Sequence, residues 1–398
     1  MIAEIKKIVI LGDLTRPLNS KLNQGLNGLQ QWVYELFNWQ LRKTTGLPVS
    51  FLVWEKDGFF DAHIFYQLMN KKLATVNDWF EIYDEENITE EAISYVEKFI
   101  KDAIVISFEI SPVLSRILNK LNIPYIDIIH HPYRFLDDLI LGFRTNRKQV
   151  FENLIPYRLD DSLCHMQANI HKAAMTWKQN MSIVKNSALF AGQTNIDRSL
   201  YYNGQVLTLQ NDFREKFQAL GDTYNKVYYK PHPYNKDLAK IIQYLKKLSF
   251  VEILEDNIYQ TLSNPNIMGV YSITSSVVYE APFFDKKAEF FHKPWLNLAK
   301  PNDMYAEDKY VSVFNSYFNP KFWADILEKL IETDTTIDLS IPHKANRLRI
   351  TMNQFWGYSF LDTDICLDNS ESYKKTRNIT RWVEKKIKYI YFWKKKRF

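Results

Sequence analysis

Four short stretches of this chain hold side chains that could do chemistry. The first is Lys230-Pro231-His232-Pro233, where prolines on both sides of one histidine stiffen the backbone. An imidazole held at a strand end can donate to a phosphate or a leaving group. The same dipeptide also turns loops with no other role. The second is Ser272-Ile273-Thr274-Ser275-Ser276, between an apolar stretch and a helical one. Adjacent hydroxyls ahead of a helix suit a phosphate, and they equally suit capping. Glu280, one turn beyond Ser276, is placed to reach a ribose or to stand as an ordinary surface acid. The third is GQTNIDRS, residues 192–199, which sets Asp197 just past a strand end and 35 residues before His232. A carboxylate there can act as nucleophile or base, or cap a helix. The fourth joins Ser107-Phe108-Glu109 to HHPYRFLDDLILGFRTN, residues 130–146. Glu109 ends an apolar run, where a carboxylate is costly unless it faces a cleft or a partner. Arg134 and Arg144 could grip a carboxylate in two-pronged fashion, or pair with nearby acids. Asp127, His130 and His131 raise the question of a metal. Neighbours on an extended chain point to opposite sides, so no metal site is expected.

Alternating apolar runs and helical patterns must position these groups. KKIVILG, PVSFLVW, DAIVISFEI and IPYIDIIHHP read as strands, with helices around Leu26–Leu41 and over SPVLSRILNKLN. Residues 147–185 read as a polar helical bridge. Alternation then resumes with strands at SALFAG, KVYYK, FVEIL, NIMGVYSIT and KKAEFF, and late helices at NPKFWADILEKLIE and ANRLRITMNQFWGY. Such alternation implies an α/β fold of two Rossmann-like domains facing a cleft, a GT-B-like arrangement with a helical basic tail. The expected units are 1–180, 181–345 and 346–398. Ligands in such folds bind beyond the carboxyl ends of the strands, where all four stretches fall.

Composition excludes several classes. Only 11 glycines occur and no phosphate-cradling glycine motif is present. Aromatics at 15% exclude a mainly disordered chain, and two cysteines, Cys164 and Cys366, exclude a disulfide framework or cysteine-rich zinc site. No apolar run is long enough to cross a bilayer. The net charge of +5 hides an asymmetry: Lys374–Phe398 holds 11 lysines and arginines against the single acid Glu384. Aromatics interleave with these cations. Such an end favours an anionic inner-membrane surface, at about 1 kcal/mol per basic residue. Docking on the protein body and nucleic-acid contact are the other readings, and no nucleic acid is expected. The expected location is cytoplasmic and peripheral to the membrane.

His232 and the Ser275-Ser276 pair, some forty residues apart, form a two-part phosphate grip. With FE at 108–109, the 130–146 segment and GQTNIDRS, the set resembles the bacterial retaining β-Kdo transferases of capsule and lipopolysaccharide synthesis. The resemblance spans roughly residues 100–285. It implies two Rossmann-like domains and CMP-β-Kdo as donor, with a saccharide or glycolipid acceptor and no obligatory metal or other cofactor. It further implies Asp197 as nucleophile and Glu109 as the second essential carboxylate. His232, Ser275 and Ser276 would hold the CMP phosphate, with Lys230 assisting and Gln193 and Glu280 on the donor side. Arg134 and Arg144 are candidates for the sugar carboxylate. The histidine and serines alone also fit transferases of sialic or other nonulosonic acids, and glycerophosphotransferases using CDP-glycerol. A non-catalytic membrane-surface assembly protein is the reading from another class.

Overall fold

The computed structural model describes residues 4–16, 23–53, 60–74, 78–176, 182–193, 198–202, 205–232, 238–254, 256–339 and 341–356. Asp197, Pro233 and the basic end 374–398 lie outside the described residues.

The first sheet starts with β1 (Lys7–Gly12), β2 (Val49–Phe51), β3 (Ala103–Phe108), β4 (Tyr125–His130) and β5 (Leu141–Thr145). β-Branched and apolar runs such as AIVISF suit strands covered on both faces, and every residue of β3 and β4 is buried. The helix Asn23–Thr45 between β1 and β2 shows why the crossover packs. Leu29, Trp32, Val33, Phe37 and Leu41 recur at helical spacing and are almost fully buried. Each contributes about 1.5–3 kcal/mol by leaving water. Gly46, at φ +66°, ends the helix, its N–H returning to the Arg42 carbonyl at 2.9 Å.

The second sheet contains β6 (Ser187–Ala191), then after the small hairpin of β7 (Tyr201–Tyr202) and β8 (Gln205–Val206) come β9 (Lys226–Lys230), β10 (Val251–Ile253), β11 (Ile267–Ser272) and β12 (Lys287–Phe290). Its order is β10-β9-β6-β11-β12, all parallel. The chain then returns to the first sheet as β13 (Asn297–Leu298) and β14 (Lys309–Val313). The first sheet therefore reads β13-β14-β5-β4-β3-β1-β2, with β5 antiparallel to both neighbours.

The α/β character and the two Rossmann-like sheets agree with the sequence reading. The unit boundaries differ from it. Residues 297–327, expected in the second unit, belong with the first: Val311, Phe322, Trp323 and Ile326 share a core with Phe37, Ile126 and Phe143. The helix Asp161–Thr176, expected in the first, packs Cys164 and Ala168 against Leu189, Tyr228 and Phe284 of the second. In each case the apolar face is buried where the sheet has a matching face, not where the chain is nearest in sequence.

Candidate functional site

In the first sheet the chain leaves β1 to form β2 on one side, and β3 lies on the other. The crevice between the carboxyl ends of β1 and β3 is thus the switch point at which open α/β sheets bind ligands. A small cleft opens there, lined by Gly12, Asp13, Arg16, Gln30, Trp79 and Glu109 among others. Asp13 accepts from the Trp79 indole at 2.9 Å and from the Thr15 hydroxyl at 2.6 Å. The Arg16 guanidinium lies over the Trp79 ring, 4.8 Å from its centre.

Glu109 sits at this crevice in a strained conformation. Nine described non-glycine residues have positive φ, and eight are Asn or Asp; Glu109, at φ 55°, is the other. A glutamate gains nothing local from that region, so the surroundings must hold it there. Its N–H donates to the Ile128 carbonyl at 2.9 Å. Asp127, fully buried on β4, accepts from residues on either side of Glu109: the Ser107 hydroxyl at 2.8 Å and the Ile110 N–H at 3.0 Å. The other Asp127 oxygen accepts from Arg144 Nε at 3.0 Å and the Tyr310 hydroxyl at 2.7 Å. Burial alone would lower the Arg144 pKa, but Tyr310, Asp127 and Tyr125 raise it above its ordinary value. The Arg144 charge is thus held by the sheet that positions Glu109.

The second sheet has the corresponding switch point between β6 and β11, since β9 and β10 lie to one side and β11 and β12 to the other. Three loops leave neighbouring strand ends at one level. Ala191 pairs with Lys230, and the Ser272 hydroxyl donates to the Ala191 carbonyl at 2.7 Å. Gln193 bridges this switch point. Its carbonyl oxygen accepts the Thr274 N–H at 2.8 Å, and its amide donates to the Thr274 hydroxyl at 2.7 Å and the Ser199 hydroxyl at 3.3 Å. Ser272 and Thr274 are buried within this network. Ser275 and Ser276 are half-buried beside it, ahead of a helix only four residues long, Val277–Glu280. Pro231 and His232 are half-buried beyond β9, and Lys230 Nζ donates to the Asp256 carbonyl.

No family model matches this chain, and no curated protein matches it. Among solved structures, the β-Kdo 2,7-transferase of Thermosulfurimonas dismutans KpsC matches 52% of this chain and 71% of its own, at 17% identity and TM-score 0.32. The β-Kdo 2,4-transferase of the same protein matches 46% and 67%, at 15% identity and TM-score 0.29. UDP-GlcNAc 2-epimerase of Methanocaldococcus jannaschii matches 89% and 100%, at 11% identity and TM-score 0.27. Likeness at this distance leaves the chemistry to be read from the site itself.

Sequence reasoning placed Glu109, Gln193, His232, Ser275 and Ser276 at strand ends, and the structure has them there. Other expectations are redirected. Glu280 is neither a surface acid nor open toward a ligand on its bonded oxygen. It is 3% exposed, and Oε1 accepts the Arg134 N–H at 2.6 Å and the Tyr259 hydroxyl at 3.0 Å. Burial raises its carboxyl to about 7. Arg134, half-buried, lies on the loop between β4 and β5. His131 is fully buried with both nitrogens engaged: Nδ1 accepts the Tyr133 N–H at 3.1 Å, so Nε2 donates to the Ser312 hydroxyl at 2.7 Å. Burial lowers its pKa to about 3. Among the described residues, no three His, Cys, Asp or Glu side chains converge as a metal site.

Sequence reading missed Asp13, Arg16, Gln30 and Trp79. Their signals were the polar Gly12-Asp13 ending of the first strand and Gln30, one of three polar residues, with Gln40 and Thr44, buried on the helix Asn23–Thr45. A contact relates this cleft to the third stretch. Phe80, next to Trp79, stacks on Tyr201, with ring centres 3.8 Å apart and planes 8° from parallel. Tyr201 follows GQTNIDRS closely in sequence.

Proposed function

We propose that this chain is a retaining glycosyltransferase that moves Kdo from CMP-β-Kdo to a saccharide acceptor. The observation that supports this most is the convergence of His232, Gln193 and the Ser275-Ser276 pair on three adjacent parallel strand ends. A phosphate held there meets an imidazole, hydroxyls and backbone N–H groups, the donors that stabilise a departing CMP. Lys230 contributes positive charge at the same strand end. In the proposed first step the Asp197 carboxylate attacks the anomeric carbon, the bond to the CMP oxygen breaks, and CMP leaves with the electron pair. In the second step Glu109 takes the proton of an acceptor hydroxyl, whose oxygen displaces Asp197 from the sugar. Two displacements retain the anomeric configuration. CMP leaves a single phosphate, so this chemistry needs no diphosphate-bound metal.

Residues 374–398 would hold the protein on an anionic membrane surface, as a peripheral protein of the inner leaflet. Among the described residues no helix is long and apolar enough to cross a membrane.

The testing experiment is intact-protein mass after incubation with CMP-β-Kdo and no acceptor, for wild type and Asp197→Asn. A Kdo-sized increment on wild type alone supports the covalent route. An equal increment on Asp197→Asn removes Asp197 from the nucleophile role. Turnover of CMP-sialic acid or CDP-glycerol in place of CMP-Kdo would move the donor assignment.

A further inference from the structure

Gln193 follows β6 and is 9% exposed. An amide has acceptor lone pairs on its oxygen and two N–H groups on its nitrogen, and the fold takes up both kinds. A backbone N–H can only donate, so the Thr274 N–H at 2.8 Å fixes Oε1 toward the loop after β11. Oε1 also meets the Ser272 hydroxyl at 3.3 Å, the weaker arm of a proton shared with the Ala191 carbonyl at 2.7 Å. Nε2 then points at the Thr274 hydroxyl at 2.7 Å and the Ser199 hydroxyl at 3.3 Å, and those two hydroxyls lie 2.6 Å apart. Ser272 in turn accepts the Ser275 N–H at 3.2 Å, so the network reaches the first residue of the serine pair. A close approach of backbones puts the amide here. A Cβ at Gly192 would stand 2.5 Å from the Tyr229 hydroxyl and 3.1 Å from the Lys230 carbonyl, so glycine lets the chain leave β6 against the end of β9.

We infer that Gln193 is a positioning residue: its amide contacts protein and not donor, and it locks the Ser275-Ser276 loop to the segment reaching Ser199. Asp197, the proposed nucleophile, precedes Ser199 by two residues. One side chain therefore couples the phosphate grip to the stretch that carries the nucleophile. The gain is preorganisation, since hydroxyls and N–H groups stabilise a departing phosphate best when they are held in place beforehand. The resemblance implies that Gln193 stands on the donor side; the hydrogen bonds assign it to holding the groups that meet the donor. The inference rests on the transferase reading for the words donor and nucleophile, while the tie between the two loops stands on the hydrogen bonds alone.

The test is a double-variant cycle on the full chain: Gln193→Met, Thr274→Val and both together, with Thr274→Ser as the conservative replacement. CMP affinity is measured by calorimetry. Loop order is measured by amide hydrogen exchange of the ligand-free protein, below the lowest melting temperature of the set. Gln193→Met should weaken CMP binding roughly tenfold and raise exchange in 198–202 and 273–277 together. Thr274→Val should shift both readouts in the same direction. The double variant should bind CMP no more weakly than Gln193→Met alone, because both changes cut one tie. Thr274→Ser keeps the hydroxyl and should bind CMP within about twofold of wild type. Losses that add in the double variant overturn the inference and make Gln193 a donor contact, as does wild-type CMP affinity in Thr274→Val beside a weakened Gln193→Met. Unchanged exchange in either segment of Gln193→Met also overturns it. If wild type binds no CMP while Gln193→Met raises exchange in both segments, the CMP-donor reading fails and the tie stands.

Discussion

Arg144 separates two accounts of this protein by a measurement of stability. By resemblance it is a candidate for the donor's carboxylate, yet its Nε lies 3.0 Å from Asp127, a carboxylate with no exposed surface. Replacing Asp127 with Asn keeps an oxygen for Ser107 and Ile110 but leaves the Arg144 charge without its partner. Breaking one side of a buried pair costs about 3–5 kcal/mol. For units of this size about 2–4 °C of melting temperature accompanies each kcal/mol, so the expected drop is roughly 6–20 °C. Arg144→Met should cost a similar amount by leaving Asp127 charged and buried. The double variant, Asp127→Asn with Arg144→Met, should recover most of either loss, because no uncompensated charge remains. Thermal unfolding followed by circular dichroism at fixed pH gives all four corners of the cycle. The reasoning is refuted if each single variant melts within about 2 °C of wild type, or if the two losses simply add. An Arg144→Met protein of unchanged stability with a raised donor KM would return Arg144 to the substrate.

Three further outcomes are expected. The Glu280 carboxyl stands at about 7 in the folded protein against an ordinary 4.5, so the folded state keeps a proton that the unfolded chain releases between those values. Its contribution to stability therefore falls as pH rises from about 4.5 through 7, by about 3 kcal/mol for a shift of that size. Glu280→Gln, which can still accept from Arg134 and Tyr259, should gain on wild type over that window; a melting-temperature gap that does not change with pH would contradict this. His232→Ala should weaken CMP binding roughly tenfold or more in calorimetry, the loss of a charge-assisted contact to phosphate, with no change in melting temperature. Equal CMP affinity would remove His232 from the phosphate site. Deleting residues 374–398 should abolish binding to vesicles rich in anionic lipid and leave transfer to a soluble acceptor intact; retained vesicle binding would place the membrane contact elsewhere.

What the sequence made legible follows its periodicity. β1, β3, β4, β6, β9 and β11 were found because each is a short apolar run of β-branched and aromatic residues between helical patterns. Their ends carried Glu109, Gln193, His232 and Ser275 with them. β5 was not found, because LGFRT sits inside a polar segment and its arginine resembled a ligand-binding group. Its charge is tolerable only because Asp127 lies opposite on β4, a pairing visible once the strands are in register. β14 escaped for a different reason. KYVSV was not read as a strand, and nothing local says that it crosses back to the first sheet.

The segment 131–140 shows why polar density misled the reading of substrate contacts. It is irregular backbone set among packed elements, so its N–H and C=O groups need partners that a sheet or helix would otherwise supply. His171 meets the Phe135 carbonyl at 2.7 Å, and Arg349 donates to the carbonyls of Leu136 at 2.8 Å and Arg134 at 3.3 Å. Glu280 takes the Arg134 N–H. Asp138 accepts the N–H groups of Leu348 and Arg349 at 2.9 Å, closing the start of the helix Arg347–Trp356. Phe135, Leu136 and Ile140 meanwhile enter the core of the second sheet beside Tyr259 and Phe284. Polar residues gather in this stretch because it joins two sheets, and a join made of irregular backbone requires as many hydrogen-bonding side chains as a binding site does. The Asp138 carboxylate ends on backbone N–H groups of the chain itself, and Asp137 on the His343 ring at 2.7 Å, so neither acid of this segment is left facing a ligand.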